Sequence, residues 1–426
     1  MKLEPIENSL SETILGGFSS RGLRVLVNPR PEFVGTFGAL GTNFGSVDRV
    51  GNGQGQVIPE GLAHFLEHKL FEDQMGDVSD RFSALGASTN AMTGFSGTTY
   101  IFSSMNEVSA CLELLLSFVQ TPWFTDELVQ KEQGIIAQEI RMYDDDPDWR
   151  IFFGLLRCLY ASHPVRDNIA GSVESIAEID AATLHRCYKL FYHPRNMCLS
   201  LSGALDPEVV AEVVERDQAT RPLDELAPHV RTNPEEELLP TSDRHEEELS
   251  VSRPRLLLGV KETVLGGGPL EVARRQLCSR IVLDALFGRA SDAYQSLYSD
   301  GLVDESFSAS YSGEPSFGFS TLGGDTDEPD QLEDRLRETL AKARHEGLGV
   351  AALERVRRKI HGMILRSLDS TENIAFGMLS EHFHGLKPFA ALELVEQLTV
   401  EELDNRLREH FREDAFAVSL VRPCGS

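Results

Sequence analysis

Two histidines four residues apart constrain this chain more than any other feature. They lie in Ala63-His64-Phe65-Leu66-Glu67-His68. On a helix, residues i and i+4 share a face, so both imidazoles can address one cation. Glu67, at i+3 from His64, stands beside them. Leu62 and Leu66 fall on the opposite side and can anchor the helix in a core. The helix then needs a further donor from elsewhere in the chain. A catalytic zinc takes three protein ligands and keeps a fourth position for water.

The order His-x-x-Glu-His is the inverted form of the zinc-hydrolase motif, with the glutamate at its inner end. The direct order is absent, since position 65 is Phe. A carboxylate beside zinc-bound water can serve as general base, and zinc lowers the pKa of that water to ~7. Glu67 is the candidate base. Two ordinary helix histidines are the alternative, and with 12 His in the chain the spacing arises by chance in roughly a few per cent of cases. Downstream, Lys131-Glu132-Gln133-Gly134-Ile135-Ile136-Ala137-Gln138-Glu139-Ile140 stands out. Glu132 and Glu139 are seven apart and share one helix face. Ile135, Ile136 and Ile140 make the surroundings apolar, where a carboxylate is costly unless paired or metal-bound. Taken alone, the segment also reads as a half-exposed helix with solvated glutamates; the histidine pair reverses that preference.

Charge narrows the partners. The 426 residues carry 40 Lys+Arg against 67 Asp+Glu, a formal net charge of −27. Nucleic-acid binding needs clustered cations, and anionic lipid repels such a chain. Neither nucleic acid nor membrane is an expected partner. No run of ~18 apolar residues is present to cross a bilayer. Met1-Lys2-Leu3-Glu4-Pro5 lacks the apolar stretch of a secretory signal. The six cysteines include no Cys-x-x-Cys pair and read as reduced thiols. The expected location is cytoplasmic.

The order of elements speaks for a duplicated α+β fold. Strand-like runs at 23–27 and 33–43 precede a Gly/Gln-rich loop at 51–56. A helix from Pro59, well placed at a helix start, runs through Phe71. Further helices are expected at 78–85 and 108–119, with a Thr-, Tyr- and Phe-rich hairpin at 87–103 between them. Thr125 with Asp126 and Glu127 starts a helix that Asp144-Asp145-Asp146-Pro147 stops. The second half repeats the plan: strand 256–260, helix 271–287, strands 307–311 and 317–322, helices 331–344, 351–377 and 401–411, strand 416–420. Between the halves, prolines and acidic clusters read as an exposed linker. The expected division is a zinc-binding domain at 1–218, an acidic Pro-containing linker at 219–249, and a homologous domain without the metal motif at 250–426.

His64-x-x-Glu67-His68 followed by Glu132 and Glu139 resembles the pitrilysin/insulinase-type metallopeptidases, which include the mitochondrial processing peptidases. Gly45-Ser46-Val47-Asp48, Gly86 to Ala91 ahead of Thr99-Tyr100, His163-Pro164 and Asn196-Met197 are similar to further elements of that family. Residues 61–71 and 142–150 are similar to its bacterial YmfH-like branch. The resemblance implies two homologous domains, each a mainly antiparallel sheet flanked by helices. It implies Zn2+ held by His64, His68 and Glu139, with Glu67 as catalytic base and Glu132 supporting the site. The implied activity is zinc-dependent endopeptidase cleavage of peptides or unfolded polypeptide. The substrate would join a sheet edge as an added strand, against Asn90, Ala91 and Thr93.

One departure bears on partners. Many relatives carry an Arg and, seven residues later, a Tyr that contact the substrate carbonyl. Here those positions hold Leu297 and Asp304. The expectation is a heterodimer in which a homologous subunit, lacking the zinc motif, carries the Arg/Tyr pair. The alternative is a non-proteolytic scaffold or assembly subunit of the same fold.

Overall fold

The computed structural model describes residues 1–10, 12–51, 56–221, 231 and 234–425. Residues 52–55 of the expected Gly/Gln-rich loop, and 222–230 and 232–233 of the expected linker, lie outside the described residues. The chain divides into two compact units. The first comprises Met1–Ile140, Asn168–Asn233 and Ile364–Ala390; the second comprises Arg141–Asp167, Pro234–Met363 and Ala391–Ser426.

A seven-stranded sheet carries the first unit. From edge to edge its strands are Glu4–Pro5, Leu15–Phe18, Arg24–Pro29, Met197–Gly203, Thr36–Thr42, Thr98–Ser104 and Ala87–Thr93. Neighbours are antiparallel except Arg24–Pro29 and Met197–Gly203, which run parallel. Thr36–Thr42 and Met197–Gly203 are buried at every position. Both faces are covered there, which is why Thr-Phe-Gly-Ala-Leu-Gly-Thr lacks the polar alternation of a half-exposed strand. On one face Phe37 and Ala39 join Leu26 and Cys198 against Ile374, Ala375, Met378 and Leu379 of the Thr371–Phe383 helix. That helix rides close: a Cβ at Gly41 would meet Phe383 Cε2 at 2.8 Å and Leu379 Cδ2 at 3.0 Å. On the other face Tyr100 packs edge-on against Phe118 of the Val108–Val119 helix, with centroids 5.8 Å apart.

The second unit repeats the plan in five strands, ordered Arg244–Leu249, Phe416–Pro423, Arg255–Lys261, Gly318–Asp325 and Ser308–Gly313. The first pair is parallel and the rest antiparallel. Order and directions match those of the five strands from Arg24–Pro29 to Ala87–Thr93. The repeat includes Arg244–Leu249, the last six residues of the expected linker. Its acidic residues read as solvated, yet Glu247 takes a forked hydrogen bond from Arg150, and Arg422 bonds Glu246. Charge of this kind suits an edge strand. On one face, Leu256, Leu258 and Val260 pack with Ile281, Leu336, Leu340, Leu403 and Leu407, each side chain contributing about 1.5–3 kcal/mol by burial. The Pro147–Leu159 helix lies against the same sheet, where a Cβ at Gly259 would meet Leu155 Cδ1 at 2.6 Å.

Where one helix was expected at 351–377, there are two, Val350–Ser367 and Thr371–Phe383. The amides of Leu368, Asp369 and Ser370 bond carbonyls three residues back, and Ser370 Oγ then caps Asn373 N at 3.2 Å. A serine whose hydroxyl satisfies an orphan amide starts a new helix as readily as it continues an old one.

A candidate metal centre on the first unit

The motif helix runs Leu62–Leu70. Gly61 precedes it with φ +80°, and a Cβ there would lie 2.3 Å from the Ala170 carbonyl oxygen, so only glycine fits. Leu62, Phe65, Leu66 and Leu70 are buried. With that side sunk in the core, His64 and His68 stand together, ring centroids 4.5 Å apart.

The Asp126–Asp144 helix turns Val129, Glu132, Ile136 and Ile140 inward. Ile135, expected among the apolar surroundings of the carboxylates, is 44% exposed, because it lies one position off that buried stripe. Glu139 meets both imidazoles: Oε1 is 3.6 Å from His64 Nε2 and Oε2 is 3.5 Å from His68 Nε2. One donor atom from each of His64, His68 and Glu139 lies within 4.8 Å of the others. Donors ~2.0–2.1 Å from one zinc at the tetrahedral angle stand ~3.3 Å apart. Two imidazole nitrogens and a carboxylate oxygen are also a donor set that zinc accepts. The residues present therefore fit the metal that the motif implies.

Glu132 takes a different place. It is buried, and its Oε1 accepts from His68 Nδ1 at 3.1 Å. That bond puts the ring proton on Nδ1 and leaves the Nε2 lone pair for a cation. Beyond it lies Lys69, whose side chain is wholly buried. Its Nζ is 2.8 Å from Glu72 Oε2 and 3.7 Å from Glu132 Oε2. Sequence reasoning passed over Lys69; the signal was a lone cation between Leu66 and Leu70 on a helix whose neighbours are core residues.

Glu67 is not one of the three converging donors. Its Oε2 accepts from Thr93 Oγ1 at 2.5 Å. Burial raises its carboxyl above the ordinary glutamate range, helped by the Glu139 charge and opposed by Thr93 and His68. Burial, with His68 beside it, lowers His64 to about 4. His68 moves the other way: burial opposes the charged form, but the Glu132 hydrogen bond and the charges of Glu132, Glu139 and Glu67 together raise it.

Thr93 ends the strand Ala87–Thr93, the last of the sheet order, paired with Thr98–Ser104. Ser88, Asn90 and Met92 are exposed along it, alternating with half-buried residues. Ala91 N donates to the side-chain oxygen of Asn90 at 2.9 Å. Asn90 and Ala91 thus lie on the edge strand whose last residue holds Glu67. The nearby turn is fastened by Asp48, a residue of the Gly45–Asp48 element. Its carboxylate accepts from Gly45 N at 2.9 Å and from Arg231 Nε at 2.7 Å, while Arg231 also reaches the Ser96 carbonyl at 2.9 Å.

In the second unit Leu297 is buried in the core, on the Asp292–Ser299 helix. Asp304 pairs with Arg253 at 2.8 Å and accepts from Ser306 N at 2.9 Å. Neither side chain offers a cationic or phenolic donor.

Residues 52–172 match a family model described as insulinase, peptidase family M16, and residues 178–360 match one described as the peptidase M16 inactive domain. A Bacillus subtilis protein named as the uncharacterized zinc protease YmfH is 40% identical over 426 residues, covering 99% of each chain. A second protein of the same organism, named as the uncharacterized zinc protease YmxG, is 25% identical over 404 residues, covering 88% of this chain and 92% of its own. Among solved structures, an M16-like peptidase from Alicyclobacillus acidocaldarius superposes with a TM-score of 0.95 at 40% identity, covering 98% of this chain and all of the other. A protease from Helicobacter pylori shares the fold, with a TM-score of 0.83 at 18% identity over 97% of this chain and 100% of its own.

Proposed function

This chain belongs to the insulinase family of peptidases, family M16, and on that premise we propose that it is the zinc-binding, catalytic subunit of an endopeptidase acting on peptides or unfolded segments. The observation that carries the reading is the convergence of His64 Nε2, His68 Nε2 and a Glu139 carboxylate oxygen. Zinc, when bound, supplies a Lewis acid and brings water to a pKa of ~7. Glu67 removes the proton of the attacking water and returns it to the leaving amine, and its raised carboxyl range suits a group that must do both. Thr93 holds one Glu67 oxygen and leaves the other for that work. Glu132 keeps His68 turned toward the metal. The substrate lies along Ala87–Thr93 as an added strand, against Asn90, Ala91 and Thr93, so that its backbone runs past Glu67.

The Arg/Tyr pair expected of relatives comes, in this reading, from a homologous partner subunit that lacks the zinc motif. Leu297 and Asp304 are committed to packing and to an ion pair. The same observation favours a second reading, a non-proteolytic scaffold of this fold. The test is metal analysis of the purified chain, with turnover of a peptide library measured for the chain alone and with a co-purifying homologue. Bound zinc and turnover that needs the homologue are expected. Absence of any divalent metal uptake sinks the peptidase reading, turnover at full rate by an isolated monomer sinks the pairing, and zinc without turnover in either preparation leaves the scaffold.

A further inference from the structure

Lys69 is the one charged residue on the buried side of the motif helix, and its side chain has no exposed surface. Burying an ammonium is costly, and a side chain of similar volume without charge packs more cheaply. The aliphatic stem alone therefore does not account for a lysine between Leu66 and Leu70. The head group stands between two carboxylates. It lies 2.8 Å from Glu72 Oε2, which anchors it, and 3.7 Å from Glu132 Oε2. Glu72 is in turn 3.1 Å from Lys131 Nζ, on the helix that carries Glu132 and Glu139. Glu132 divides its oxygens: Oε1 accepts from His68 Nδ1, and Oε2 faces Lys69. At 3.7 Å Lys69 is an ion-pair partner of Glu132 and not a hydrogen-bond donor to it; its charge favours the carboxylate orientation that turns Oε2 toward Lys69 and Oε1 toward His68.

Resting on the zinc reading above, we infer that Lys69 is a positioning residue. It fixes Glu132, and through Glu132 it holds the His68 ring with Nε2 directed at the metal. Two opposed effects make this testable. A cation near a zinc site repels the metal, so if Lys69 acted only by its charge, removing it would tighten zinc binding. If it acts by fixing Glu132, removing it loosens zinc binding, because losing a partner that orients a ligand typically costs ~10–100-fold in affinity.

The experiment is zinc competition against a chromophoric chelator with four proteins: the parent, Lys69→Met, Glu132→Gln and the double variant. Lys69→Met is expected to bind zinc several-fold more weakly, up to ~10-fold, the lower end of what losing a ligand's own partner costs. In the Glu132→Gln background the same change should add less than about twofold, since coupled residues do not add. Nitrogen-15 histidine spectra of the zinc-free proteins, taken at alkaline pH, supply a readout that needs no metal. The parent His68 should be in its Nδ1–H form, and Lys69→Met should show a mixture of tautomers. Lys69→Leu, uncharged and without a donor, serves if Lys69→Met does not fold, with the same weakening and mixing expected. Unchanged or tighter zinc binding, or effects that add with those of Glu132→Gln, would overturn the inference. If the parent takes up no zinc, the zinc reading fails by itself, and the zinc-free spectra alone decide whether Lys69 orients His68.

Discussion

Replacing Glu67 by Gln separates proton transfer from metal holding. Glu67 is not among the three converging donors, and an amide oxygen can still accept the Thr93 hydroxyl that now meets Oε2 at 2.5 Å. The side chain keeps its place and loses only its basic oxygen. A positioned general base contributes ~10²–10⁴-fold, about 3–5 kcal/mol of barrier. On this reasoning kcat falls by that factor, zinc stoichiometry stays at the parental value, and KM moves little. Stability gives a second, independent sign. Burial raises the Glu67 carboxyl in the folded chain, so the folded state binds this proton more readily than the unfolded state. The group therefore costs stability as pH rises from the ordinary glutamate range through the folded value, and that cost is fully present above it. Gln carries no such cost, so the metal-free variant should unfold in urea at pH 7 at the same midpoint as the parent or a higher one. The assay pairs a quenched fluorogenic peptide set, run with the partner chain, with metal emission analysis. Parental turnover in the variant refutes the assignment of Glu67 as base. Loss of zinc together with activity means that Glu67 is a ligand.

Three further outcomes follow from the geometry. Ala91→Pro removes an amide that donates to its neighbour's side chain and, three residues before the bonded Gly94–Gly97 pair, stands at a non-bonded position of the antiparallel ladder, so thermal stability should hardly move. An added substrate strand would lose one backbone hydrogen bond of about 1 kcal/mol, together with close approach, and kcat/KM should drop by at least severalfold; an unchanged value argues against peptide docking on this edge. His410 is buried with Nε2 at 2.8 Å from Ser320 Oγ, and burial, reinforced by Arg406, lowers it to about 3. The unfolded chain takes this proton near pH 6.5 and the folded chain does not, so stability should fall from about pH 6 downward, by up to about 1.4 kcal/mol per pH unit; urea titrations at pH 7, 6 and 5 should show His410→Gln with a slope flatter by one proton. Arg231→Met takes the guanidinium from Asp48, whose side chain is fully buried, and should destabilise the first unit by about 3 kcal/mol, measured as a shift in urea midpoint; a shift under about 0.5 kcal/mol, the range of ordinary surface substitutions, shows that the Gly45–Asp48 turn holds without it.

Much of the centre was legible because its parts are local. The four-residue spacing of His64 and His68 and the seven-residue spacing of Glu132 and Glu139 follow from the pitch of a helix alone. The helix Asp126–Asp144 could be bounded from Thr125 and from the acidic run before Pro147. Ile135, Ile136 and Ile140 look alike in sequence, but burial on a helix is decided position by position, and Ile135 faces outward. The 351–377 stretch reads as one helix because its apolar period is unbroken; the break is made by Ser370, whose hydroxyl finds an amide of the next turn. Glu246 and Glu247 read as linker because their arginine partners, Arg422 and Arg150, are far away in sequence.

The amino-acid order by itself determined which side chains could hold a cation, which carboxylate stands beside them, and that one strand-and-helix plan occurs twice. These are matters of spacing along a helix or strand, and spacing is written residue by residue. Spacing alone treats Glu132 and Glu139 alike, and only the resemblance told them apart; the tertiary structure brings Glu139 to both imidazoles and puts Ala87–Thr93 at the sheet edge, and it alone decided that Thr93 holds Glu67 and that Lys69 is sealed behind Glu132. It also decided that Pro147–Leu159 packs on the second sheet and Thr371–Phe383 on the first. Those outcomes depend on which surfaces bury one another across long stretches of chain, and no local period records that choice.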